Sequence, residues 1–211
     1  MDTLPIPLPA SRTVTVLVTP AHSGDLLARL LAELALRGRL TVLDGGNRFP
    51  AYRLLQHLRL RLPDPASVAR QVTIRRAFTC HQVLALLESA PPLPHPTVLL
   101  DPLAAFYDEN VPLPESSRLL DSALRQVERL RQHAPVLIVL PPPPSSLVSL
   151  RLAGTPKGTA PSTSEAIPSR PNCSTPSIPD RITLFDRLCA AANSLHTLEL
   201  SLPPDLQPAL L

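Results

Sequence analysis

Apolar positions along this chain fall into two alternating rhythms: short runs of β-branched residues, and longer stretches in which leucine recurs every three or four positions. The first run, Thr13 to Val18, predicts a buried strand. A helix over 24–37 follows, with Leu27, Leu30, Leu31 and Leu34 on one face and Gly38 as its C-cap. A second strand, Leu40 to Leu43, ends at Asp44. Residues 51–60 predict a helix that buries Leu54, Leu55 and Leu58 and turns Arg53, His57 and the following Arg61 to water. Gln71 to Ala77 predicts a third, charge-bearing strand, and 81–89 a helix. The fourth strand, Thr97 to Leu100, is apolar throughout and ends at Asp101, as a buried parallel strand should. The clearest helical stripe spans 117–133 through Leu120, Leu124, Val127 and Leu130, and Asp121 and Arg125 stand at i,i+4 spacing. Pro135 to Leu140 predicts a fifth strand, stopped by four prolines. A helix over 184–193 and a strand over 196–200 complete the pattern.

Strands that alternate with helices predict an α/β fold of three layers, a mainly parallel central sheet covered on both faces. The expected organisation is an extension over 1–12, a core over 13–140, and a flexible Pro/Ser/Thr-rich loop over 141–181. A helix and strand over 182–202 then return to the core before a tail over 203–211. No internal repeat is present.

Composition narrows the function classes. Of 211 residues 28 are proline and 6 glycine, well above the usual proline share of about 5%. Aromatic residues make up 3% and tryptophan is absent, so a base-stacking surface for single strands is not expected. The net charge of +3 permits an anionic partner without requiring one. Three cysteines, Cys80, Cys173 and Cys189, show no ligand spacing, which predicts a reducing compartment and no metal. An acidic residue and repeated prolines interrupt the N-terminal apolar run, and no stretch reaches the roughly 18 apolar residues of a membrane span. These features predict a soluble intracellular protein, cytoplasmic, nucleoid or nuclear, without membrane contact.

The candidate chemistry lies in the turn Thr19 to Leu26, between the first strand and the first helix. It has the length and place of a phosphate-binding loop, G-x-x-x-x-G-K-[ST], in which backbone N–H groups cradle phosphates and the lysine grips them. Gly24 fits that pattern, but Asp25 stands at the lysine position and Leu26 at the hydroxyl position. The only lysine, Lys157, lies in the proline tract. Ser23, Gly24 and Asp101 therefore mark the positions of a degenerate nucleotide site, with ATP and Mg²⁺ disfavoured. Cys80 and His81 suggest a nucleophile and base, yet adjacent side chains at a helix start are expected to point apart, which favours capping and packing. Between Gly45 and Arg76 there are seven arginines and one acid, Asp64. Arg48, Arg53, Arg75 and Arg76 are the candidate contacts to a phosphate backbone.

Four segments, taken in order, resemble the RecA/RadA-like recombinases. The loop at 19–26 comes first. Leu43-Asp44-Gly45-Gly46-Asn47-Arg48-Phe49 is similar to that family's I-D-T-E-G-x-F, with Gly46 where the family carries its catalytic glutamate. Arg76-Ala77-Phe78-Thr79-Cys80-His81-Gln82 resembles R-A-[FY]-N-[ST]-D-H-Q, one residue shorter. Leu99-Leu100-Asp101 resembles the Walker B strand, whose aspartate helps to hold Mg²⁺. The resemblance implies a RecA-like P-loop NTPase fold with core strand order 3-2-4-5-1. It implies a recombinase-like accessory protein, not an active enzyme, with a recombinase-family or other repair protein and possibly DNA as partners. The alternatives are an ATPase completed by a partner's residues, or by an arginine such as Arg48, and a scaffold of unrelated function.

Overall fold

The computed structural model describes residues 12–20, 23–108, 110–143 and 178–197. Its elements in chain order are β1 (Val14–Val18), α1 (Gly24–Leu36), β2 (Leu40–Asp44), α2 (Ala51–Arg59), α3 (Pro65–Ala69) and β3 (Val72–Arg76). There follow α4 (Cys80–Ser89), β4 (Thr97–Leu100), a 3-10 turn (Ala104–Phe106), α5 (Leu113–Arg131), β5 (Val136–Leu140), a helix here numbered α6 (Ile178–Ala190), and β6 (Ser194–Thr197).

All strand pairs are parallel, in the order β3-β2-β4-β5-β1-β6. Side chains alternate across each strand, and β5 shows the consequence plainly. Val136, Ile138 and Leu140 enter one apolar core with α4, α5 and α6, while Leu137 and Val139 enter a second with α1 and α2. A continuous apolar run is thus what a strand covered on both faces requires. The five core strands have the order 3-2-4-5-1, and β6 adds a sixth beyond β1. Asn193 ties that last strand in: its Oδ1 accepts from Val14 N–H at 2.8 Å, and its own N–H donates to Val14 O at 2.8 Å.

Several local expectations need adjustment. α3 has no apolar periodicity; it forms because Asp64 Oδ1 accepts from Ala66 N–H and Pro65 opens the helix. α5 begins four residues earlier than expected, again at a proline. Asp121 does not pair with Arg125; Arg187 of α6 takes its carboxylate, and Arg125 donates to Ser122 Oγ instead. His57 and Arg61 do not simply face water, for they bind Asp25 and Glu33 of α1 and so clamp α2 to it.

The proline tract also differs at its end. α6 starts at Ile178, so a loop boundary at 181 falls inside a helix. Arg181 is 1% exposed, and its guanidinium donates to Phe106 O at 2.6 Å and Val111 O at 2.5 Å. It pins the 104–111 segment to α6. Residues 1–11, most of the proline tract, and the expected strand positions 198–200 with the tail lie outside the described residues.

Candidate functional site

Parallel strands of this order bring the loops after β1, β2, β4 and β5 to one edge of the sheet, where ligands of open α/β folds bind. The loop after β1 enters α1 through Ser23, which is buried. Its hydroxyl donates to Pro20 O at 2.6 Å and makes no capping bond to the helix. Ala21 and His22 lie outside the described residues. Arg53 of α2 reaches across to Gly24: a Cβ placed there would sit 2.9 Å from Arg53 Nη1. Asp25 turns its largely exposed carboxylate to His57, 3.0 Å away. The head of α1 is therefore bordered by an arginine from the neighbouring helix, with no lysine of its own.

The next wall is β2 and its turn. Asp44 is fully buried, and its carboxylate oxygens accept from the N–H groups of Arg48 at 2.9 Å and Phe49 at 3.1 Å. Arg76 Nε lies 3.4 Å from the same group. That arrangement explains an aspartate and a phenylalanine five residues apart without catalysis, because the carboxylate organises the turn. Asn47 sits at φ +53°, within the left-handed region that asparagine tolerates.

Gly46 meets β4 head on. A Cβ at this position would lie 2.6 Å from Asp101 Cβ and 2.9 Å from both Asp101 Cγ and Oδ2. Where the recombinases carry glutamate, this chain has no room for a Cβ unless Asp101 or the turn shifts. Asp101 itself is 8% exposed and adopts φ +44°; its Oδ1 is buried without a hydrogen bond, and its Oδ2 lies 3.9 Å from Arg48 Nη1. Burial pushes its carboxyl pKa up, Arg48 offsets part of that, and Asp44 adds to it. One side of Asp101 borders a cavity of about 340 Å³ whose other walls include Leu103, Tyr107, Leu140, Pro141 and Phe185. Burial, with Asp101 as a second cause, also raises the Tyr107 pKa.

Tested against a magnesium–nucleotide complex, these groups fit poorly. The carboxylate of Asp44 is already engaged, that of Asp101 is packed under Gly46, and the lysine position carries an acid. Among the described residues no cluster of three or more His, Cys, Asp or Glu is placed to hold a metal ion. No helix among them is long and apolar enough to cross a membrane.

Of the four candidate arginines, three gather at this edge: Arg48 beside Asp101, Arg76 on Asp44, and Arg53 over Gly24. Arg75 does not join them. It points to the opposite face, where its Nη2 donates to Ser89 Oγ at 2.8 Å.

Cys80 and His81 differ from expectation, since Cys80 Sγ lies 3.6 Å from His81 Nδ1 and His81 Nε2 lies 3.2 Å from Glu115 Oε1. The imidazole folds back over the first turn to reach the sulfur. Cys80 is nevertheless fully buried and burial raises its thiol pKa, so it is a packing residue and not an accessible thiolate. The same segment caps α4: Thr79 Oγ1 accepts from Gln82 N–H, and Gln82 Oε1 accepts from Phe78 N–H.

Scanned against protein-family models, the chain matches none, and a search of curated proteins returns no match.

Proposed function

We propose that this protein is a recombinase-like accessory factor without ATPase chemistry, which assists DNA recombination or repair through contacts to a recombinase-family or other repair protein, with DNA as a possible further contact. One observation carries the reading: at the edge of the sheet that would hold nucleotide, the place of the catalytic carboxylate is filled by the chain's own groups, with Gly46 seated on Asp101. Phosphoryl transfer relies on positioned cations and an oriented water, and a packed aspartate supplies neither. The strand order and the ordered motifs support the relationship, while the filled edge supports loss of the reaction. Purified full-length protein should hydrolyse no ATP with or without single-stranded DNA. Turnover that disappears in Asp101→Asn would overturn the proposal.

A second reading draws on Arg53. Its guanidinium stands at the head of α1, where it could offset phosphate charge next to unclosed backbone N–H groups. Nucleotide would then bind without being hydrolysed and would raise the melting temperature of the wild type but not of Arg53→Gln. No ATP-dependent shift in the wild type rules this second reading out.

A further inference from the structure

At the other end of the sheet lies a cavity unconnected to the nucleotide-type edge. Its volume is about 370 Å³, within the range of small-molecule sites. Register explains its chemistry. Thr73, Thr41 and Thr97 stand in one row across β3, β2 and β4. Side chains two residues apart share a face, so Gln71 and Arg75 flank Thr73, Arg39 precedes Thr41, and His95 precedes Thr97. All of them line the cavity. This face is apolar further along, where Leu43 and Leu99 enter the core with α4. It turns polar towards the amino ends of the strands, where α4 has ended at Ser89 and the chain runs through Ala90, Pro91 and Leu93 as an outer wall.

The charge is one-sided. Arg39, Arg70 and Arg75 are among the lining residues, and no Asp or Glu is. Among the described residues none of the three has a carboxylate within ion-pair distance. His95 stands beside them, its Nε2 lying 3.0 Å from Thr41 Oγ1. Burial and then the nearby Arg39 lower the His95 pKa, which favours the neutral imidazole. Guanidinium groups gathered beside the buried Thr41 and Thr97 and the exposed Thr73 favour an anion. Guanidinium forks and threonine hydroxyls are donors matched to phosphoryl oxygens.

We propose that this cavity at the amino ends of β2, β3 and β4 binds a small phosphorylated ligand, its phosphoryl oxygens held by Arg39, Arg70 and Arg75 with the hydroxyls of Thr41 and Thr73. The site is independent of the filled edge and of any ATPase reading.

Pyrophosphate is the probe, titrated into the full-length protein by calorimetry and by NMR of the His95 imidazole, against sodium chloride at matched ionic strength. Saturable binding is expected, together with a rise in the His95 pKa as the anion's charge offsets that of Arg39. Arg39→Gln and Arg70→Gln, both at exposed positions, should each weaken binding about tenfold, the loss of one charge-assisted contact. Arg118→Gln, on α5 and outside the cavity, should leave it unchanged. Thr73→Val gives a second test that keeps the charges, with a smaller loss expected. Matched chloride reproducing the full response, undiminished binding in Arg39→Gln/Arg70→Gln, or tighter binding of malonate than of pyrophosphate would each overturn the proposal.

Discussion

Substituting alanine for Gly46 tests whether the nucleotide-type edge is truly filled. The new Cβ would lie 2.6 Å from Asp101 Cβ, against the roughly 3.5–4.0 Å of a normal carbon contact, so about 1 Å of movement is required. Neither partner yields easily. Asp101 is held by its N–H bond to Val139 O at 2.8 Å and by Ala104 N–H on its own carbonyl at 3.2 Å, while Gly45 N–H is fixed to Leu100 O at 2.8 Å. Overpacking of this kind costs about 1–3 kcal/mol. For a chain of this size that corresponds to a melting temperature lower by about 2–12 °C. Removing only the carboxylate leaves the clash, because the nearest atom is a Cβ. Asp101→Gly removes it and also suits the backbone at φ +44°. Differential scanning calorimetry of the two single variants and the double variant therefore measures a coupling: Gly46→Ala should cost stability in the wild-type background and almost none beside Asp101→Gly. Equal losses in both backgrounds, or a Gly46→Ala protein that melts with the wild type, would refute the packing argument. The same geometry bears on chemistry, since Gly46→Glu meets the same clash with Asp101 before its carboxylate is placed.

Two further outcomes follow from buried charge. Arg181→Met should lower stability by about 2–5 kcal/mol in urea titrations, because the buried Phe106 carbonyl and the half-buried Val111 carbonyl lose charged donors; a loss under about 1 kcal/mol would show that the segment is held by other means. Asp101 has a folded-state pKa above its unfolded value, so the folded protein binds the extra proton and its stability falls as pH rises from near 4 through that raised pKa. Asp101→Asn should accordingly melt above the wild type at neutral pH and converge with it at acid pH, whereas a deficit that grows with pH would mean the Arg48 contact outweighs the burial.

Much of the fold was legible because burial on two faces leaves its mark in the sequence. Val136 to Leu140 and Thr97 to Leu100 are unbroken apolar runs, and the leucine spacing of 27, 30, 31 and 34 leaves α1 one way to pack. What the pattern could not carry was pairing at a distance. Asp121 stands four residues before Arg125, yet its partner is Arg187 across a helix interface, which no local spacing encodes. Arg181 closes the expected Pro/Ser/Thr-rich loop, and its burial depends on carbonyls some seventy residues earlier. Pro179 was a helix-start signal hidden among other prolines. In the candidate site, the strand-end position of Asp101 was readable, since it follows directly on β4. The closeness of Gly46 to Asp101 was not, since it depends on two loops meeting across neighbouring strands. Sequence motifs also proved ambiguous in a specific way: the Asp44 and Phe49 spacing organises a turn, and Thr79 to Gln82 caps a helix.

That ambiguity shifts weight from motifs to the placement of charge. At the carboxy ends of the strands, Arg76 faces Asp44 and Arg48 faces Asp101, so these cations and anions offset one another inside the molecule, while Arg53 stands over Gly24. At the amino ends, Arg39, Arg70 and Arg75 surround a cavity with no carboxylate in its lining. Electrostatic attraction for an anion depends on charge that is not already matched, and more so where the walls exclude water. The end of the sheet that resembles a nucleotide site is thus the end with the less available positive charge. On the proposal above, an anion meets its stronger attraction at the amino ends of the strands, where no familiar motif lies.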